Sequence, residues 1–301
     1  MIFNRRGFLL TSALLAWPFF RPRISLAGGM ERLIPAAPIS EDNVNKSAPP
    51  RFKTIDHFLN ETVRYDIGFL WFTKAASGSL TFRREGEGFA ALLEAETKGI
   101  VGFFTSHRKH RYVSHMISVP SENRFKISLF ERYVTVGSRE EKTLTRLDYG
   151  AGRMTSTFFK GGEQVEERVE AIPHDVEYED ILSALYNVRI GRYGPLVAGR
   201  SFKVLTIPRE GKSVIDVEIA TPEEAKRRRF LFGSSSSDAF LNARVRVPKE
   251  IFESKTGEVA LLFDDSILPV HGIVKDYIGF GDIRGTLLRP AQEEVSDKNP
   301  A

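Results

Sequence analysis

The feature that most constrains this chain is the rhythm of its glycines. Between residues 51 and 289, short apolar runs are punctuated by Arg84-Glu85-Gly86-Glu87-Gly88, Tyr149-Gly150-Ala151-Gly152, Lys160-Gly161-Gly162-Glu163 and Arg209-Glu210-Gly211-Lys212. Glycine reaches positive φ without a steric penalty, and tight hairpins demand that conformation. The intervening runs, at 62–72, 79–84, 89–96, 112–119 and 203–207, are rich in Val, Ile, Phe, Tyr and Thr, residues that suit a pleated surface. Alternation over 213–219 is partial, which predicts strands with apolar side chains on both faces. The expected fold is mainly β: a single antiparallel curved sheet or incomplete barrel spanning 52–289.

One segment breaks the rhythm. Over 175–189, Ile181, Leu182, Leu185, Tyr186 and Val188 fall at helical spacing, acids crowd the start, Arg189 stands at the end and Gly191 follows. The pattern predicts a central helix at 178–189 packed on the sheet. A second, weaker helix is expected from Thr221-Pro222-Glu223-Glu224 to the basic run 226–229. Residues 28–51, with Pro35, Pro38, Pro49 and Pro50, read as a disordered linker, and the polar stretch 290–301 as a disordered tail.

The charge has a location. The formal net charge is +4, and Arg5, Arg6, Arg21 and Arg23 lie in residues 1–27 with no acid beside them. Without those four, 39 basic residues balance 39 acids, so the excess belongs to one segment and gives no footprint for nucleic acid. That segment has a basic start, a short apolar stretch over 7–20 and Ser25-Leu26-Ala27 before Gly28, the layout of a signal peptide. Arg5-Arg6 ahead of Phe8-Leu9 resembles a twin-arginine signal. An ordinary secretion signal is the alternative. The apolar stretch is short for a permanent anchor, and no downstream run is long enough to span a bilayer. The expected location is therefore the periplasm or cell envelope of a bacterium. With no cysteine in the chain, disulfides, zinc–thiolate sites and cysteine nucleophiles are excluded.

Several segments resemble the bacterial domain-of-unknown-function family 3108. They are Tyr65-Asp66-Ile67-Gly68-Phe69-Leu70-Trp71 with Ala76-Ser77-Gly78-Ser79-Leu80, then Asp180-Ile181-Leu182-Ser183-Ala184-Leu185-Tyr186 with Arg189. Val259-Ala260-Leu261-Leu262-Phe263, Asp264-Asp265, Leu268-Pro269-Val270 and the stretch 281–288 follow in order. Arg111-Tyr112-Val113-Ser114-His115 and Leu147-Asp148-Tyr149 fall where that family has similar runs, and Leu262-Phe263 stand where it carries a Trp. The resemblance covers about 60–289. It implies an exported β-rich domain and brings no activity with it.

Polar clusters point weakly to chemistry. His107-Arg108-Lys109-His110-Arg111, with His115, reads as a solvated basic loop, with an anion or lipid-headgroup contact or a metal site as alternatives. Strand geometry would put His107, Lys109 and Arg111 on one face and Arg108, His110 and Tyr112 on the other. Asp264-Asp265-Ser266 reads as a turn, with acid–base work or calcium binding as alternatives. Ser234-Ser235-Ser236-Ser237 follows Gly233 without a nucleophile elbow, and no phosphate loop, dinucleotide fingerprint or zinc-protease pair occurs, so no cofactor is expected.

The aromatics carry more. Phe69, Trp71, Phe72, Phe82, Phe89, Phe103 and Phe104 crowd the start of the domain, either as core or as the lining of an apolar cavity. The leading expectation is a non-enzymatic envelope protein binding a hydrophobic or amphipathic, lipid-like ligand, with Trp71 and Tyr186 as cavity wall. A structural or interaction module using exposed strand edges is the second reading. A hydrolase of envelope polymers, using acids such as Asp148 or Asp264, is the third.

Overall fold

A computed structural model describes residues 54–69, 72–208, 213–232, 241–249, 251–252, 254–277 and 281–289. The expected signal segment, linker and tail, the turn at 209–212, the serine run 234–237 and Trp71 lie outside the described residues.

The strands are β1 (Glu61–Phe69), β2 (Phe72–Glu85), β3 (Gly88–Thr97), β4 (Lys109–Val119), β5 (Arg124–Val136), β6 (Arg139–Asp148), β7 (Arg153–Lys160) and β8 (Glu163–Ala171). After a crossover come β9 (Ser201–Leu205), β10 (Val214–Ile219), β11 (Leu241–Arg246), β12 (Glu258–Phe263), β13 (Pro269–Tyr277) and β14 (Gly281–Leu288). The helices are α1 (Gly99–Phe104), α2 (Ile181–Arg189) and α3 (Pro222–Phe232). Among the described residues, fourteen strands form one sheet in the order β8-β7-β6-β5-β4-β3-β2-β1-β14-β13-β12-β11-β10-β9. Every pairing is antiparallel, as hairpin-spaced strands require. The first and last strands meet inside the order, with Tyr65 beside Leu287. The two outermost strands, β8 and β9, do not pair with each other, so the barrel is incomplete.

The glycine turns act as expected where they are described. Gly161 and Gly162 join β7 to β8, both at positive φ (56° and 86°), the geometry of a two-residue hairpin turn. On β10 the partial alternation of the sequence resolves into two faces. Ile215, Val217 and Ile219 join the hydrophobic core, while Asp216 and Glu218 pair with Lys203 and Arg244.

The helix α2 sits against the inner face of the curled sheet and is packed all round. Leu182, Tyr186 and Ile190 join a core with Leu80, Phe82, Phe89, Tyr112, Met116 and Phe125 from β2–β5. Ala184, with Ile181, packs with Val204, Ile215 and Val259, and Leu185 and Val188 pack with Ile219, Ala243 and Phe263. The helix begins later than position 178. Asp180 is its cap, accepting hydrogen bonds from the backbone of Leu182 (2.7 Å) and Ser183 (3.1 Å), while the Ser183 hydroxyl accepts from Asp180 N–H (2.9 Å). The residue before it is extended: Glu179 N–H donates to the Leu205 carbonyl and its own carbonyl accepts from Ile207. The expected second helix is α3, opened by Thr221 and Glu224 bonding to each other's backbone N–H. It lies where Arg284 donates to the Leu231 carbonyl.

Two polar devices fix α2 in place. Asn187 donates to the Phe125 carbonyl (2.9 Å) and accepts from Phe125 N–H (2.7 Å), serving β5 as a neighbouring strand would. Arg189, 2 % exposed, makes a two-pronged pair with Glu61 on β1 (2.5 and 2.9 Å) and lies over the Phe58 ring at 4.4 Å. Among the described residues no helix is long and apolar enough to cross a membrane.

Candidate functional site: an open edge and a surface groove

Of the aromatics crowding the first half, Phe82 and Phe89 are core, Phe69 lies buried in a smaller cluster and Phe72 is 37 % exposed. Phe82 lies 4.4 Å from Tyr186 and 5.5 Å from both Phe89 and Phe125, centre to centre, and Phe58 meets Tyr186 at 5.6 Å. Tyr186 is fully buried, its hydroxyl 3.5 Å from Glu61. The residue expected to line a cavity is instead enclosed by Phe58 and Phe82 in the core between helix and sheet. Phe103 stands apart, 74 % exposed on α1.

The polar clusters resolve into local structure. His107 sits in a turn at positive φ, and strand alternation holds from Lys109 onward. Lys109 and Arg111 reach Glu96 (3.0 Å) and Glu94 (3.6 Å) on β3, acids that only strand pairing brings near. His110 hydrogen-bonds Tyr112 and Arg108 on the other side. No group of three or more acids and histidines with metal-holding geometry occurs among the described residues. Asp264 Oδ1 accepts from Ser266 N–H (3.0 Å), the Ser266 hydroxyl (2.7 Å) and Leu268 N–H (3.0 Å), so it builds its own turn. Asp148 does the same for Ala151 (2.9 Å).

His115 lies between carboxylates, Nδ1 2.6 Å from Glu85 and Nε2 2.9 Å from Glu131, while the Tyr133 hydroxyl donates to Glu131. Hydrogen bonding, with burial opposing it, holds the Glu131 carboxyl below its ordinary range. His115 also borders an open groove of about 650 Å³ across β4–β6, whose lining includes Ile117, Lys126, Leu129, Arg146 and Tyr149.

A second buried acid stands beside α2. Glu179 accepts from the Tyr193 hydroxyl (2.6 Å) and faces Arg192 Nε at 3.5 Å, while its Oε2 has no partner among the described residues. Burial pushes its carboxyl up to about 7, against the pull of these bonds.

The two ends of the sheet differ. The short strand β9 is tied at its C-terminal end by Glu179, which bridges Thr206 in parallel. The nine residues of β8 are all exposed, including Val165 (54 %) and Val169 (59 %). No described segment pairs with its outer backbone. β8 is not among the strands the apolar runs mark. Its signal is visible in Glu-Gln-Val-Glu-Glu-Arg-Val-Glu-Ala: strand-forming valines after a Gly-Gly turn, with acids on both alternating faces and no face left for a core.

The molecule therefore belongs to the class of open antiparallel β-sheets curled around one helix. No family model and no curated protein matches the chain. Among solved structures, it is similar to a β-barrel-like protein of domain of unknown function DUF1849 from Brucella abortus, at 10 % identity over 76 % of this chain and 95 % of that one (TM-score 0.41). It is also similar to a DUF1089 family protein from Pseudomonas aeruginosa, at 13 % identity over 71 % and 94 % (TM-score 0.31). Both carry family names other than the one the sequence resembles.

Proposed function

We propose that this is an exported protein of the bacterial cell envelope, of the kind its likeness to family 3108 implies, and that it works by binding through the free edge of β8. The observation behind this reading is the contrast between the sheet's ends. One is tied by Glu179; the other presents nine residues of backbone that the described fold does not use. An unused strand edge is a template for an extended segment of a partner. The envelope location rests on Arg5-Arg6 and the apolar stretch after them.

The cysteine-free chain gives a clean test. Photo-crosslinking groups placed singly at Val165 and Val169 are expected to react with one extended partner segment, at positions about four residues apart. Phe103, exposed but away from the edge, is the control. Scattered adducts, or the same adducts from Phe103, would contradict strand addition.

The groove favours a second reading, an amphipathic ligand. Ile117, 49 % exposed, offers apolar contact beside the charges of Lys126 and Arg146. In this reading a lipid-like molecule lies on the outside of β4–β6. Mass spectrometry of protein purified from the native envelope tests it: a co-purifying lipid lost on Ile117→Glu supports it, and its absence overturns it.

A further inference from the structure

Resting on the reading of β8 as a docking edge, we infer that the partner segment is basic: an extended strand of another protein carrying Lys or Arg on both of its faces. Of the nine residues of β8, Glu163, Glu166, Glu167 and Glu170 are acids, and Arg168 is the single base. At four places elsewhere in the sheet, a strand acid meets a cation one strand away. Glu96 meets Lys109, Glu94 meets Arg111, Asp216 meets Lys203 and Glu218 meets Arg244. On β8 the inner neighbour supplies no such partner at three of its acids. Directly opposite Glu166, Glu167 and Glu170 on β7 stand Phe158, Thr157 and Met154. Glu166 bonds Arg168 on its own strand, Glu167 takes a long bond from Thr157 (3.5 Å), and Glu170 has no ion pair among the described residues.

A strand added outside β8 would set its Cβ atoms about 5 Å from those of these acids, alternately on the two faces of the sheet. Opposite charge there is favourable and like charge is not. A second copy docking edge to edge would set acids against acids, so the same charge pattern that selects a basic segment disfavours self-pairing.

The test uses the full-length chain and three synthetic peptides of one Val/Thr strand pattern, bearing Lys, Glu or Ser at the remaining positions. Fluorescence anisotropy is expected to show the Lys peptide binding about tenfold more tightly than the Ser peptide, with the Glu peptide weakest. The preference should shrink at about 0.5 M salt. It should vanish in the triple variant Glu166→Gln, Glu167→Gln, Glu170→Gln, whose exposed positions leave the core intact as circular dichroism would verify. Equal binding of all three peptides at β8 keeps strand addition and overturns the charge preference. Binding of none overturns both. Concentration-dependent dimers of the parent chain, crosslinked through Val165 and Val169, would overturn the basic partner in favour of a second copy.

Discussion

At the scale of single residues, two buried charges govern what the chain tolerates. Arg189 is kept in the interior by Glu61, and both amino groups of its fork are used. Removing one partner of a buried pair leaves the other uncompensated, which costs more than the pair contributes. Glu61→Gln is therefore expected to lower stability by about 3 kcal/mol in urea unfolding. The double variant Glu61→Gln, Arg189→Met should recover part of that loss; a double variant as unstable as the sum of the singles would contradict the account. Glu179 acts through pH. Its ordinary carboxyl value of 4.5 rises to about 7 in the fold, so between those values the folded state holds a proton that the unfolded chain has released. The sign follows: this group's stabilising contribution is present below about pH 4.5 and is lost as pH rises through about 7. The groups facing it, Tyr193, Arg192, Asn187 and Asp180, stay in place in Glu179→Gln. That variant should show a shallower fall in stability from pH 5 to 7.5 than the parent, and an unchanged slope would sink the assignment.

At the scale of elements, α2 is the piece the sheet is folded around. Its Asn187 supplies a donor and an acceptor to Phe125, and its replacement by Leu leaves two buried backbone groups of β5 without partners. Asn187→Leu is expected to cost about 3 kcal/mol, and a change within about 0.5 kcal/mol would show that β5 finds other partners. Much of this element was legible in sequence: the spacing of Leu182, Leu185 and Tyr186 marked the helix, and Arg189 marked its end. Its start was not, because acids at 177 and 179 favour a helix N-terminus locally, while pairing with β9 pulls Glu179 into extended backbone. The glycine turns likewise announced the hairpins, since positive φ at Gly161 and Gly162 is a local demand. What local pattern cannot encode is which strands become neighbours across the chain. The pairing of β1 with β14, and hence the free edge at β8, depends on contacts more than 200 residues apart in sequence. Tyr186 was expected as a cavity wall; its enclosure by Phe58 and Phe82 depends on three-dimensional packing that local pattern does not encode.

At the scale of the whole molecule, the interior and the rim divide the work. The inner face is committed to α2 and its aromatic neighbours; on the reading proposed above, recognition falls to what the fold leaves outside, the groove of β4–β6 and, above all, the acidic edge of β8. Hydrogen–deuterium exchange of the full-length chain, with and without the Lys-bearing strand peptide, tests this most directly. Amides of β8 that face outward have no acceptor in the described fold and should exchange fast in the free protein. Bound peptide should slow them at alternate positions along 163–171, leaving β9 and the groove unchanged. Protection that appears at the groove instead, or none along β8, would contradict the account.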